Sequence, residues 1–212
     1  MSLKFNPDKA LIFRIAHRDN LPWILDNGLH AKNAAPSGSN YRTIGNPDLI
    51  DKRSRRIVPV RPGGTLSDYV PFYFTPFSIM MLNIITGMGV KKLPKDEIII
   101  FVSSLFRIKD LGIPLVFTNQ HAYLQMAEYF TDLADLGRVD WPLLQSRNFR
   151  NDPDDLGKKD RYQAEALVWK HVPLEALEGV CCYSTTVASE IRAHLDQRDL
   201  TLKTVLEPSW YF

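Results

Sequence analysis

The sequence predicts an α+β fold in a single domain spanning residues 1–212. Two observations lead there. Short apolar runs of strand length are interspersed with short helical stretches, without the regular strand–helix alternation of a parallel sheet. At 212 residues and 45% hydrophobic, the chain can build one sizeable core. It shows no internal repeat and no linker that would divide it.

Taken in order, Leu11 to Ala16 reads as a strand, followed by a helix that Asp19 or Asn20 would cap, with Pro22 in its first turn and Gly28 as its stop. The stretch from His30 to Pro47, rich in Ala, Pro, Ser, Gly and Asn, reads as a surface loop able to fold around a ligand. Ile57–Val60 and Val70–Phe74 are strand candidates, with Pro59 and Pro71 marking edges or strand starts. Ser78 to Thr86 is a short helix ended by Gly87, and its Met80 and Met81 read first as core filling. Strands are expected at Glu97–Ser103 and Ile113–Phe117, then a helix across His121 to Tyr129. Asp152, Asp154, Asp155 and Asp160 alternate with basic residues between Arg147 and Arg161, which predicts an exposed loop. Ala164–His171 and Val180–Tyr183 are further strands, with one helical turn over Pro173–Leu177 between them. Thr185 to Leu195 is a helix capped by Ser184 or Thr185, and the apolar stretch Val205–Phe212 should dock on the body.

The net charge of +2 gives no general affinity for polyanions, but its distribution is uneven. Residues 42–61 hold six Lys or Arg against two Asp, a local net of +4 that suits a dinucleotide phosphate or a nucleic-acid backbone. Within it, Lys52, Arg53, Arg55 and Arg56 precede the Pro62-Gly63-Gly64 turn and the aromatic run Tyr69–Phe74, so an anion cradle beside a pocket wall competes with a solvated cluster before a buried strand. The only cysteines, Cys181 and Cys182, are adjacent in a strand and should face opposite sides, which fits a reducing compartment. No run approaches a membrane span and no long apolar leader opens the chain, so a cytoplasmic protein without membrane contact is expected.

Two constellations carry possible chemistry. At the first strand-to-helix transition, His17 is placed to reach a ribose hydroxyl, although it also suits a structural role, and Asp19 and Asn20 also suit helix caps. Glu165 opens the apolar run AEALVWKHV, where a carboxylate requires a partner. It would either form an edge salt bridge with Arg161 or Lys170, or orient a sugar hydroxyl and stabilise positive charge at an anomeric carbon. The sequence contains neither HExxH nor CxxC, and no metal site is expected.

The ordered set IAHRDNLPWILDNGL, IGNPDLIDKRSRR, GGTLSDYVPFYFTPFSIMM, VFTNQHA and RYQAEALVWKHVP resembles the DarT family of DNA ADP-ribosyltransferase toxins over nearly the full chain. The resemblance implies an ADP-ribosyltransferase fold with a mixed, split β-sheet core and peripheral helices. It implies NAD as ADP-ribose donor, a base of single-stranded DNA as acceptor, with thymine and guanine as precedents, and an antitoxin partner that removes the adduct. By motif, Glu165 matches the catalytic glutamate and Arg53 the essential arginine, with Arg55 and Arg56 close in register. His17, Asp19 and Asn20 match the NAD-binding element, Tyr73 and Met80 the pocket, and His121 a place beside the active centre. Phe77 departs from the pattern, where many relatives carry a polar or basic residue.

Glu165 would then stabilise the ribosyl centre while Arg53 and His17 hold the rest of the dinucleotide. In the loop from Trp141 to Lys159, Gln145, Arg147, Asn148, Arg150 and Asn151 are candidates for contacts to the DNA acceptor, against a solvated connector. A monomer is expected. Transfer to RNA or protein, NAD hydrolysis, or a non-catalytic nucleic-acid-binding module are the competing readings.

Overall fold

The computed structural model describes residues 4–36 and 41–212. Part of the predicted ligand loop, residues 37–40, lies outside the described residues. The chain begins with β1 (Leu11–His17), α1 (Leu21–Asn27) and β2 (Leu29–His30). Gly28 ends α1 at φ 75°, where an added Cβ would lie 2.4 Å from Val172 O, so only glycine lets this turn pack so closely. Next come α2 (Pro47–Arg55), β3 (Tyr69–Tyr73) and α3 (Ile79–Thr86). Gly87 closes α3 in the left-handed region, as the sequence predicts, while Ser78 stands just before the helix as its cap, accepting Met81 N–H.

β4 (Ile98–Ser104) runs into α4 (Leu105–Asp110), followed by β5 (Leu115–Thr118) and β6 (Tyr129–Phe130). α5 (Trp141–Ser146) and α6 (Lys158–Arg161) precede β7 (Glu165–Trp169) and β8 (His171–Val172). β9 (Gly179–Cys182), α7 (Thr185–Asp196) and β10 (Lys203–Leu206) complete the order.

The fold class is α+β, as expected. An eight-stranded mixed sheet has the order β10-β9-β4-β1-β3-β7-β5-β6, and β2 pairs β8 in a second small sheet. Only β10 and β9 run parallel among the named pairs. The sheet is almost divided at its centre. β1 matches β4 along its whole length from Leu11↔Ser104 to His17↔Ile98, yet meets β3 at one register pair, Phe13↔Tyr73. Beyond that pair the strands diverge, and the functional cavity opens in the gap.

Several expected elements differ. The segment 121–128 is a turn-rich loop rather than a helix, and Tyr129 already belongs to β6. Leu124 N–H bonds His121 O at 3.0 Å and Ala127 N–H bonds Leu124 O at 3.2 Å as separate turns, while His121 N–H bonds Asp160 O at 3.0 Å and Ala122 N–H bonds the Glu165 carboxylate at 3.0 Å. Ile57–Val60 forms one bridge, Ile57↔Thr65, and Pro59 has no N–H with which to extend a ladder. The basic segment before the glycine turn is the helix α2, whose Asn46 cap accepts Leu49 N–H at 3.1 Å. The C-terminal stretch docks as expected, and does so partly as a strand, with Tyr211 fully buried beside the carbonyls of Ile98 and Cys181.

Candidate active site

Glu165 begins β7, opposite Tyr73 of β3, and its side chain enters the cleft between the two halves of the sheet. It is 1% exposed, so burial alone would push its carboxyl up. The charges of Arg53 and His121 and the Ala122 N–H outweigh that and hold it below the usual glutamate range. Arg53 Nη1 bonds Glu165 Oε2 at 2.8 Å, Ala122 N–H bonds Oε1 at 3.0 Å, and His121 Nε2 lies 3.8 Å from Oε1. The expected salt bridge to Arg161 or Lys170 does not form: Arg161 binds Asp140 and Asp155, while Lys170 lies over the Trp169 ring. An ionised carboxylate therefore sits in a largely dry wall with a cation and an N–H fixing its orientation.

The cavity around it has a volume of about 350 Å³. Arg14, Tyr73, His121 and Glu165 line its inner end, Ile50, Arg53 and Met80 one wall, and Trp23, His30 and Tyr41 another, with Arg42 and Lys32 also at its boundary. Burial and the neighbouring Glu165 push the Tyr73 phenol up to about 12, so it keeps its proton, and its hydroxyl lies 3.7 Å from Met80 Sδ. His121 is pushed down, first by burial and with Arg53 adding to it, against the opposing pull of Glu165. Two buried donors in the cavity have no protein partner: Arg53 Nη2 and Arg14 Nε. Guanidinium groups at the edge of a largely apolar cavity suit a ligand that joins flat rings to anionic oxygens, such as NAD.

Of the four clustered basic residues, only Arg53 lines this cavity. Arg55 is exposed and pairs with Asp51, and Arg56 reaches the loop carbonyl of Leu124 at 2.8 Å. The helix therefore separates what a linear reading groups as one anion cradle. Arg53 turns inward to the Glu165 carboxylate, while Arg55 and Arg56 point elsewhere.

A family model described as ssDNA thymidine ADP-ribosyltransferase, DarT, matches residues 13–212. The chain belongs to the DarT family. It is similar to a DNA ADP-ribosyl transferase of Escherichia coli O127:H6 (strain E2348/69 / EPEC), 52% identical over 212 residues, covering 100% of this chain and 97% of that protein. Among solved structures, Thermus sp. 2.9 DarT in complex with ADP-ribosylated ssDNA superposes with a TM-score of 0.89 at 32% identity and 100% coverage of both chains. The same Thermus protein in complex with NAD+ gives a TM-score of 0.85 at 32% identity, covering 97% of this chain and 99% of that one.

In this DarT chain the early motif acts indirectly. His17 is buried outside the cavity lining, its Nδ1 accepting Asp19 N–H at 3.1 Å and its Nε2 facing Glu97 at 3.0 Å. Asn20 makes no side-chain cap to α1; it brackets the Arg42 backbone instead, donating to Arg42 O at 2.8 Å and accepting Arg42 N–H at 2.7 Å. Asp19 pairs with the Arg42 guanidinium at 2.9 Å. The motif thus holds Arg42, which does line the cavity. The charged residue that reaches the cavity from β1, beside Ile15 and Ala16, is Arg14, three positions earlier, anchored by Nη1 to Pro71 O at 3.0 Å. Sequence reading passed over it. The available signal was an arginine in the middle of the apolar strand LIFRIAH.

The predicted acceptor residues stand apart from the cavity lining. Gln145 accepts Phe5 N–H at 2.8 Å, and the Arg147 guanidinium stacks 3.6 Å from the Phe77 ring centroid, which gives that unusual phenylalanine a packing role. Asn148, Arg150 and Asn151 are exposed. No group of three or more His, Cys, Asp or Glu is placed to hold a metal ion among the described residues.

Proposed function

We propose that this chain transfers ADP-ribose from NAD to a base of single-stranded DNA, with thymine as the base. The observation that carries the reading is the buried, ionised Glu165, oriented by Arg53 and Ala122 N–H at the inner end of a cavity with unmatched guanidinium donors. Support comes from the Thermus relative of the same fold, which binds NAD+ in one structure and ADP-ribosylated ssDNA in another. The family description names thymidine, and that supports the choice of base.

NAD supplies an activated glycosidic bond whose cleavage releases neutral nicotinamide and leaves positive charge at the ribosyl carbon. Glu165 accepts a hydrogen bond from a ribose hydroxyl and stabilises that charge, and its fixed orientation means little reorganisation is needed during the reaction. Arg53 keeps Glu165 ionised and retains Nη2 for a ligand oxygen. Arg14 offers Nε to the donor from the opposite side of the cleft, while Tyr73 and Met80 wall the reacting end. His17, Asp19 and Asn20 contribute to NAD binding by holding Arg42 in place. Thymine N3 then attacks the ribosyl carbon as the bond to nicotinamide breaks, and its N–H proton passes to the Glu165 carboxylate and on to solvent. Gln145, Arg147, Asn148, Arg150 and Asn151 belong to the segment that leads into Glu165, and we assign the exposed Asn148, Arg150 and Asn151 to acceptor contacts, with Gln145 and Arg147 bracing them.

We further propose that the protein is a cytoplasmic toxin acting as a monomer, paired with an antitoxin that removes ADP-ribose from DNA. Both cysteines are free and buried, which suits a reducing compartment. Purified protein incubated with NAD and defined oligonucleotides, followed by mass spectrometry, should show one added ADP-ribose on thymine. Glu165→Gln should reduce transfer by roughly 10²-fold or more with folding retained by circular dichroism. Near-normal transfer in the folded variant refutes the catalytic role. An adduct on guanine, on RNA or on protein instead refutes the acceptor assignment.

A further inference from the structure

The loop that delivers Ala122 N–H to Glu165 has two short turns of its own, Leu124 N–H to His121 O at 3.0 Å and Ala127 N–H to Leu124 O at 3.2 Å, and is held further by its surroundings. Its ends are closed by two bonds: Asn119 Nδ2 donates to Glu128 Oε2 at 2.7 Å, and Glu128 N–H donates to Asn119 Oδ1 at 3.1 Å. Near its middle, His121 N–H bonds Asp160 O at 3.0 Å. Two side chains from elsewhere then grip the segment just after His121. The Tyr129 hydroxyl donates to Ala122 O, and Arg56 Nη2 donates to Leu124 O at 2.8 Å. The Arg56 guanidinium also interacts with the Tyr129 hydroxyl. The outer part of the loop is closed by its own turn from Ala127 N–H to Leu124 O, with Met126 82% exposed.

We infer that Arg56 and Tyr129 are positioning residues for the catalytic carboxylate, acting through the Ala122 peptide. The inference rests on the role of Glu165 proposed above. Tyr129 holds the carbonyl of the same residue whose N–H binds Glu165 Oε1, and Arg56 fixes the chain two residues further on. A hydrogen bond to a buried ionised oxygen is directional and unscreened, so a small swing of this peptide weakens it. Glu165 is then free to follow Arg53 alone, and its second oxygen loses its orientation toward the ribose.

The other groups facing Glu165 are Arg53 from α2, His121 from the same loop and Tyr73 from β3. Behind them, Arg14 from β1 faces Tyr73, and Asp160 from α6 faces His121. None of these replaces an N–H at Oε1, since His121 Nε2 stands 3.8 Å away. Loss of the Ala122 bond therefore removes one of the influences that keep the carboxyl ionised, and the acidic limb of the activity profile moves to higher pH.

The test uses Tyr129→Phe, which removes only the hydroxyl, and Arg56→Met, which keeps much of the aliphatic length, in the full chain with NAD and a single-stranded oligonucleotide. At neutral pH kcat should fall by about tenfold, the lower end of what a lost hydrogen bond to a charged group costs, with KM for NAD nearly unchanged. The acidic limb should shift upward in both variants, and Arg56→Lys, which retains a donor for Leu124 O, should recover most of the loss. Hydrogen exchange at the Ala122 amide should quicken in Tyr129→Phe and Arg56→Met. Uniform loss at every pH with an unmoved limb, a change in KM alone, or unchanged Ala122 exchange overturns the inference. Circular dichroism checks each fold, and if one variant unfolds the other decides. Glu165→Gln runs beside them: an active Glu165→Gln refutes the role of the carboxylate itself, whereas an inactive one with parental behaviour in the two variants refutes only the positioning role.

Discussion

A buried carboxylate is costly unless its environment compensates, and Arg53 supplies most of that compensation for Glu165. Their side chains are 12% and 2% exposed, so the pair is poorly screened. Removing one partner leaves an unpaired buried charge, whereas removing both does not. Arg53→Met should therefore destabilise the fold by about 3 kcal/mol in urea unfolding, and Arg53→Met with Glu165→Gln should recover part of that. Additive losses would show that the pair is not coupled. Because the folded Glu165 titrates below its ordinary range, its contribution to stability is present above the unfolded-state pKa and is lost as pH falls through the folded one. Arg53→Lys would keep the charge but lose the planar fork that binds Glu165 by Nη1 while presenting Nη2 to a ligand, so weaker NAD binding is expected in titration calorimetry. Normal binding by Arg53→Lys alongside weakened binding by Arg55→Lys or Arg56→Lys would move the essential arginine to the other position.

Helix α2 converts sequence spacing into direction. Its residues are not core residues, and it is set in place by its start: Pro47 in the first turn, and Asn46, which accepts Leu49 N–H and also donates to Gly89 O at 3.2 Å. Along it, Ile50 and Arg53 lie three positions apart and share the cavity face, while Asp51 and Arg55 pair on the exposed side. Asn46→Ala should cost about 1 kcal/mol of stability through the lost cap, and kcat/KM for NAD should fall with it as Arg53 loses its fixed approach. Lowered stability with unchanged kcat/KM would separate the cap from the site. β1 shows the complementary case. Ile12, Phe13 and Ile15 are buried, while Arg14 points into the cleft because β3 has diverged from its edge.

At the scale of the whole molecule, the nearly split sheet opens the cavity, and the segment between α5 and β7 carries the residues proposed for the acceptor. Within that segment the charges are largely tied to one another: Arg161 binds Asp140 and Asp155, and Lys158 binds Asp152 at 3.3 Å. This leaves Asn148, Arg150 and Asn151 exposed on a braced loop. A base must leave its stack to reach a buried reaction centre, so single strands should be modified faster than duplexes of the same sequence. Alanine at Asn148, Arg150 and Asn151 together should reduce DNA transfer or alter its base context while nicotinamide release without DNA is retained. Unchanged rate and context would place the loop outside acceptor recognition, and equal reaction of duplex and single strand would reject the need for an accessible base.

The α+β class, most strands, the helix ended by Gly87, the helix capped at Ser184, and the need of Glu165 for a partner were legible in the sequence because each depends on local pattern: apolar runs, cap and stop residues, and a carboxylate in an apolar strand. The motif order was enough to indicate the family. Tertiary structure decided which side chains meet. Glu165 and Arg53 are 112 positions apart, and nothing local distinguishes Arg53 from Arg55 or Arg56 until a helix turns one inward and the others away. Arg14 could not be separated from an edge-strand arginine without knowing that β1 and β3 diverge, and His17 could not be separated from a ligand contact without knowing that Glu97 and Asp19 already engage both ring nitrogens. The loop at 121–129 reads locally as a helix because its composition allows one. It is not a helix because it closes instead as two short turns, Leu124 N–H to His121 O and Ala127 N–H to Leu124 O, with its start tied to Asp160 and Glu165, which the tertiary structure brings beside it.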